Sequence, residues 1–397
     1  MMRESYDIVV SGGGIAGMTA AAAFGSAGYK TLCVDPAPPV IAEADPGSDL
    51  RSTAFLQPSV DVLKAAGLWD RFASHAMPLQ VMRIVDAGGT TPEPRVSHDF
   101  NAADISNQPF GWNLPNWLLK REISARLAEL DCVTFRPGIA TTRLTTRESA
   151  ALVGLSDGAT VDARLLIAAD GRNSPMRQAL GIGVRTTRFG QKALAFAVTH
   201  PVPHENVSTE IHRSGGPFTF VPLPDRDGQP CSAIVWMETG PEVARLRALP
   251  PAAFEAEMNT RSCGLFGPLK LVSRLTVWPI ISQIAERFTG ERTALMAEAA
   301  HVVPPIGAQG LNMSLADLTA LMALATPETL GSPAMLTAYQ RKRYPDVALR
   351  VAGVGLLNRS SMIAAQHLRD ARARMLDAMY SAAPVRRALM QMGIGLR

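Results

Sequence analysis

The sequence predicts an α/β fold: an open-sheet domain interrupted by a sheet-rich insert and followed by a helical C-terminal tail. Three observations predict it. The first forty residues read as strand, glycine-rich turn, helix and strand. From about residue 185 to 285 the texture changes to short β segments punctuated by Pro and Gly. From Asp317 onward the spacing is helical almost to the end.

The 397-residue chain is long enough to bury a large core and to divide into two or three domains. With 47% hydrophobic and 19% charged residues it reads as globular, not disordered. A net charge of +4 gives no argument for nucleic acid, which is not expected among its partners. Cys33, Cys132, Cys231 and Cys263 are scattered without a C-x-x-C pair, so neither a zinc site nor a disulfide framework is expected, and no other metal site is predicted. A reduced, cytoplasmic protein is the expectation. Residues 1–6 carry no signal-type apolar core, and the Ala-rich stretch Met18 to Phe24 is too short to span a bilayer.

Asp7 to Val10 reads as a buried strand, Met18 to Ala27 as a helix and Tyr29 to Val34 as a second strand. A Pro-rich loop from Pro36 to Pro46 follows, then helices at Pro58 to Ala66 and Trp117 to Leu130, the latter with Leu119, Ile123, Leu127 and Leu130 as its apolar stripe. Strands are expected near Val133, Ala151 and Arg164 to Ala169, and in the insert at Ala193 to Thr199, Phe218 to Pro222 and Ser232 to Met237. The expected domains are 1–75, 100–184 and 286–345 for the open-sheet domain, 76–99 and 185–285 for the β-rich domain, and 346–397 for the helical region.

Gly12-Gly13-Gly14-Ile15-Ala16-Gly17 contains G-x-G-x-x-G. In a chain with 32 glycines the hexapeptide alone is a weak signal; its setting is stronger. It follows a strand, opens a helix, and leads to a strand ending in Asp35 about twenty residues on, the arrangement of a Rossmann-like dinucleotide site. Gly12 lets the chain turn, Gly14 lets backbone amides approach a pyrophosphate, and Gly17 lets helix pack on strand. The helix N-terminus offers unpaired N–H groups to the phosphates, and Asp35 an acceptor for a ribose hydroxyl. Ile15 and Ala16 complete the turn. NAD and FAD are not separated by this segment alone.

Three further segments carry a resemblance. Ala168-Ala169-Asp170-Gly171-Arg172-Asn173-Ser174-Pro175-Met176-Arg177 follows the strand Leu165 to Ile167 and matches A-D-G-R-x-S-x-x-R. Leu295 to Asn312 contains Ala297-Glu298-Ala299-Ala300-His301 and then Pro304-Pro305-Ile306-Gly307-Ala308-Gln309-Gly310-Leu311-Asn312, close to G-D-A-A-H followed by P-P-x-G-x-x-G-x-N. Arg51-Ser52-Thr53-Ala54 follows the first crossover. Together, in this order, they resemble the aromatic flavin hydroxylases of the p-hydroxybenzoate hydroxylase type, and within them the 2-polyprenyl-6-methoxyphenol hydroxylase-like branch of ubiquinone biosynthesis. Shorter matches at Gly67-Leu68-Trp69 and at Tyr339, Arg343 and Asp346 continue the resemblance, which runs from about residue 6 to residue 345.

The resemblance implies that FAD is the dinucleotide. It implies that Asp170 and Gly171 organise its pyrophosphate, that Pro305 and Gly307 to Asn312 wrap the isoalloxazine and ribitol ahead of a helix starting near Met313, and that Arg51 reaches the pyrophosphate. Lys120 or Arg121 would lie near the flavin. Glu298 stands where the family has Asp on a ribitol hydroxyl, and Ala297 where it has Gly. His301 reads as a hydrogen-bonded structural residue rather than an acid or base. The implied activity is an NAD(P)H-dependent monooxygenation of a polyprenyl-phenol ring by O2 through a flavin C4a-hydroperoxide, with NADH or NADPH as a transient reductant because no second G-x-G-x-x-G exists. Two other readings stay open: a flavin-binding, non-oxygenating component of a ubiquinone-biosynthesis assembly, and a flavin reductase of the same fold. The insert would roof the flavin, with Phe218 and Phe220 on one face of their strand against the substrate. No catalytic base is identifiable in the sequence.

Between Arg341 and Arg397 eleven cations face three acids, a net +8, so the rest of the +4 chain sums to −4. Ala364, Leu368, Ala371, Met375 and Met379 form a helical apolar stripe beside these arginines. Such a basic amphipathic tail suits anionic lipid on the inner face of the membrane, a ubiquinone-biosynthesis partner protein, or docking on its own domain.

Overall fold

The computed structural model describes residues 3–395. The chain opens with β1 (Ser5–Ser11), α1 (Ile15–Ser26) and β2 (Thr31–Asp35), then crosses away to form β3 (Val81–Asp86) and β4 (Val96–Asn101). It returns through α2 (Asn116–Ala128), β5 (Val133–Pro137) and β6 (Thr160–Ala168). The long excursion that follows contains β7 (Val184–Thr199), β8 (Val207–His212), β9 (Pro217–Arg226), β10 (Gln229–Thr239) and β11 (Thr276–Ala285). β12 (Thr293–Leu295) then leads to α3 (Gln309–Leu324), α4 (Pro333–Ser361), α5 (Gln366–Ser381) and α6 (Ala383–Ile394).

The first sheet sets β12, β6, β1, β2 and β5 side by side, all parallel. Parallel strands are covered on both faces, which is why Ile8 to Val10 and Leu165 to Ala168 are continuously apolar and wholly buried. α1 is buried all round, from Met18 to Phe24, and its alanines and Gly17 let it lie close to the sheet. A Cβ on Gly17 would sit 1.9 Å from the Gly12 carbonyl, and one on Gly12, at φ +108°, would sit 2.4 Å from the Ala169 carbonyl. The turn and the end of β6 are therefore packed backbone against backbone.

The second sheet runs β11-β7-β10-β9-β8-β3-β4, mostly antiparallel, with β3 parallel to β8. β3 and β4 thus join the insert from far away in sequence, and the sheet reaches Asn101. One face of this sheet carries Phe196, Phe218, Phe220, Ile234 and Trp236 against Phe254 and Met258 of the helix Pro251–Arg261. Its other face turns toward the first sheet.

Two boundaries differ from the sequence reading. The helix expected near Met313 begins at Gln309, so Gly310 to Asn312 form its first turn rather than the loop before it. The expected division at 345/346 falls inside α4, one helix of 29 residues that runs through Pro345. Arg397 lies outside the described residues.

Candidate active site

A cleft of about 1640 Å³ lies between the two sheets. The C-terminal ends of β1 and β6 and the N-termini of α1 and α3 all open onto it, as ligand sites in open α/β sheets do. Gly12, Gly14, Ile15, Ala16, Gly17, Asp35, Arg51, Lys120, Asp170, Gly171, Glu298, Pro305, Gly307, Gly310 and Leu311 line it. Segments about 300 residues apart in sequence are thereby brought to one cavity.

At one end the glycine turn is held by Asp35, whose Oδ2 accepts from the Gly13 N–H at 2.6 Å while Oδ1 accepts from that of Ala37 at 2.9 Å. Each oxygen keeps a further lone pair for a ligand hydroxyl. Asp170 Oδ2 accepts from Ser11 Oγ and from the Met176 N–H, and Oδ1 is buried without a partner among the described residues. Burial pushes the Asp170 carboxyl up. Arg177, at the end of the same signature, is buried and donates to the carbonyls of Arg172 and Ala299, tying the Asp170 loop to the Glu298 loop.

At the other end Ala297 and Ala308 both adopt the left-handed region, at φ +54° and +55°. Asp317, wholly buried, fixes the first of these turns by accepting from the Ala297 N–H. The same carboxylate pairs with His301 Nε2 and Arg343 Nε, each at 2.7 Å. Burial alone would raise the Asp317 carboxyl, but the His301 and Arg343 charges and hydrogen bonds outweigh it and hold it below the usual range. His301 is thus occupied by Asp317. Arg343 also pairs with Asp346, and Arg350 links Asp346 to Gln309. Nothing in the sequence marked Asp317 except its place five residues after Asn312 on an apolar helix, where a charge is out of pattern.

Four expected site residues are placed elsewhere. Phe218 and Phe220 do share a face of β9, but it is the one packed on the insert's own helix, and Thr219 and Val221 face the cleft. Period two settles that the pair share a side, while only tertiary packing decides which side is covered. Arg121 turns outward to Glu122 and the Trp117 ring, leaving Lys120 on the cleft wall. Asn312 lies behind the wall: Oδ1 accepts from the Leu56 N–H and Ser59 Oγ, and Nδ2 donates to the Ala54 and Ala308 carbonyls. All its side-chain capacity is internal, so only its backbone N–H remains for a ligand.

Arg51 lines the cleft but is held by Asp49 in a bidentate pair at 2.7 Å, with its guanidinium 5.1 Å from the Trp278 ring. Asp49 also accepts from Asn116 Nδ2. Burial raises the Asp49 carboxyl, and the Arg51 hydrogen bonds and charge more than offset this. Asp49, Asn116 and Trp278 carry no motif that sequence reading could have used.

FAD fits this cavity on three observations. α1 and α3 both open on it with no side-chain cap and no acidic residue in the first turn, so their terminal N–H groups await acceptors. A Cβ added to Gly14 or Gly310 would meet nothing within 4 Å, leaving open space where a ligand can approach backbone. Asp170 Oδ1 is an orphaned acceptor in the same wall.

The comparisons agree with the geometry. The model of the FAD binding domain family matches residues 5–352. Ubiquinone hydroxylase UbiL of Rhodospirillum rubrum is 33% identical over 396 residues, covering 98% of this chain and 89% of the relative. The 3-demethoxyubiquinol 3-hydroxylase of Escherichia coli is 26% identical over 362 residues, 90% of each chain. The human ubiquinone biosynthesis monooxygenase COQ6 is 26% identical over 97% of this chain and 92% of its own. Among solved structures, p-nitrophenol 4-monooxygenase PnpA of Pseudomonas putida aligns over the whole of both chains with a TM-score of 0.80 at 18% identity. PqsL of Pseudomonas aeruginosa aligns over 94% of this chain and 100% of its own, with a TM-score of 0.79 at 21% identity. At those identities the structures speak for the fold alone.

Proposed function

The chain belongs to the FAD binding domain family and is a flavin monooxygenase, and from this premise we propose that it hydroxylates the aromatic ring of a polyprenyl-phenol intermediate of ubiquinone biosynthesis with NAD(P)H and O2. The reading is supported by relatives along nearly the whole chain whose names are ubiquinone hydroxylases. The observation that carries it is the joining of two uncapped helix N-termini, from opposite ends of the sequence, on one cleft roofed by a sheet.

Bound FAD supplies the redox and oxygen-transfer chemistry. The tasks of this chain's residues are binding, orientation and exclusion of water. The α1 N-terminus and Gly14 offer N–H groups to a pyrophosphate, and Asp35 and Asp170 offer acceptors to ligand hydroxyls. The α3 N-terminus, with Gly307 and Gly310, favours negative charge near a ring seated against it. Thr219, Val221 and Val235 from the second sheet form an opposing wall of small and branched side chains, which keeps the space over the ring dry. Lys120 places a cation on the same cavity.

No helix among the described residues is long and apolar enough to cross a membrane. We place the protein at the inner face of the membrane as a peripheral protein. The support is a substrate class that partitions into lipid and a set of arginines, Arg341, Arg374 and Arg387, that make no ion pair within the described residues.

The test is turnover by FAD-loaded protein with a short-chain prenylphenol in air. NADH or NADPH oxidation stimulated by the phenol, with a product heavier by one oxygen atom, is expected. A yellow protein that oxidises neither nucleotide faster when the phenol is added would instead mark a non-oxygenating component.

A further inference from the structure

We infer that α4, α5 and α6 form the outer wall of the cleft, and that the apolar strip they present there is the subsite for the substrate's polyisoprenoid tail. The nature of the ligand rests on the function proposed above; the place rests on geometry.

The first observation is the exposure of large apolar side chains. Seven of the ten most exposed among the described residues fall between Leu349 and Met392. Four of these seven line the cleft: Leu349 at 71% exposure, Leu357 at 56%, Met375 at 56% and Met392 at 59%. Single exposed apolar residues need no explanation, but four from three helices converging on one cavity do.

The second is the way α5 is mounted. Its polar side chains hold it to the second sheet: Arg372 donates to buried Asp86, Asp370 accepts from Arg95, Asp377 pairs with His98, and Tyr380 stacks on His98. The sequence left lipid, a partner protein and docking on its own domain open for this basic amphipathic segment. Arg372 docks it on the second sheet, while Met375, Leu376 and Met379 line the cleft. An amphipathic helix held by its charges leaves its apolar face for an apolar occupant.

The third is continuity. α6 is fastened to the cofactor cradle, since Gln309 Nε2 donates to the carbonyls of both Gly307 and Gly393. The strip therefore begins beside the N-terminus of α3, in a cavity that Met82 and Phe100 also line. A ligand with a polar ring at the cradle and a linear chain trailing outward matches that shape. Methionines suit it, because unbranched thioethers repack around a flexible chain. A membrane surface would cover the same residues without entering the cavity, and the test separates the two.

The experiment is calorimetric binding to the FAD holoenzyme, without NAD(P)H, of one phenol head group bearing zero, one or two isoprene units. Binding should tighten about tenfold or more per unit, because each buried methylene contributes about a fourfold gain. The double variant Met375→Gln, Met392→Gln should lose about tenfold of the two-unit affinity. Leu356→Gln, equally exposed on α4 but off the cleft, should keep the full chain-length gain. Affinity independent of chain length, or an equal loss in Leu356→Gln, overturns the subsite; dependence on length only in the presence of anionic vesicles does so in favour of membrane docking. Because binding is read without turnover, a protein that binds these ligands by length but never oxygenates them would sink the proposed reaction and leave the subsite standing.

Discussion

Ala297 is a β-carbon where the resembling family has none, and its φ of +54° shows the consequence: the backbone keeps the left-handed turn although the side chain disfavours it. Asp317 holds the turn by accepting from its N–H. Replacing Ala297 with Gly should remove a left-handed penalty of about 1–2 kcal/mol and add back about 0.5–1 kcal/mol of unfolded-state freedom. The expected net gain is about 0.5 kcal/mol in urea unfolding, with FAD retention no weaker. A second residue-scale prediction concerns Glu238 on β10. Burial raises its carboxyl to about 7, against the pull of Arg261, and its Oε2 has no hydrogen-bond partner among the described residues. A carboxyl whose folded pKa is raised stabilises the fold at low pH and loses that contribution as pH climbs from the unfolded value toward 7. Glu238→Gln should therefore be more stable than the parent by about 3 kcal/mol at pH 8 and nearly equal to it at pH 4, read from urea unfolding at the two pH values.

At the scale of elements, β9 shows how one strand divides its work. Phe218 and Phe220 are fully buried against Trp236 and Phe266, while Thr219 and Val221 face the cleft. Phe220→Ala should cost about 3–5 kcal/mol of stability, and the surviving folded protein should keep its substrate KM. Val221→Trp should leave the unfolding midpoint within about 1 kcal/mol and raise KM or abolish turnover by filling the space above the ring. If instead Phe220→Ala altered KM alone, the strand would have to be turned over. The insert's sheet is thus a partition with a dense aromatic core behind it and a smooth wall before it.

Across the whole molecule, charge pairs join the last three helices to α3 and to the second sheet. Asp317, Arg343, Asp346, Arg350 and Gln309 connect α3 to α4 and reach α6, and Asp86 receives Arg95 and Arg372 to hold α5 on the second sheet. Burial raises the Asp86 carboxyl, and its two arginines more than offset this, so it is ionised throughout the physiological range. Removing one member of such a pair leaves buried charge uncompensated, at about 3–5 kcal/mol. Asp86→Asn should free α5 and α6 and make the segment between Ser361 and Gln366 sensitive to limited proteolysis, while the FAD content stays unchanged. Equal resistance to protease in parent and variant would show that the apolar contacts of Met390 and Ile394 suffice to hold the tail.

The local signals were strong where one stretch of chain dictates its own geometry. The G-x-G-x-x-G turn with Asp35, the Asp170 signature and the Gly307 to Gly310 cradle were all legible, because strand ends, glycines and helix starts are fixed by neighbours a few residues away. The general plan of open sheet, β insert and helical tail follows from the same periodicities. What no local pattern contains is which face of an element meets which neighbour. The burial of Phe218 and Phe220 away from the cleft, the retreat of Asn312 behind the wall and the mounting of α5 through Arg372 were each decided by partners tens to hundreds of residues distant. Period and charge say which side chains travel together; the free energy of the assembled molecule chooses the direction in which they point.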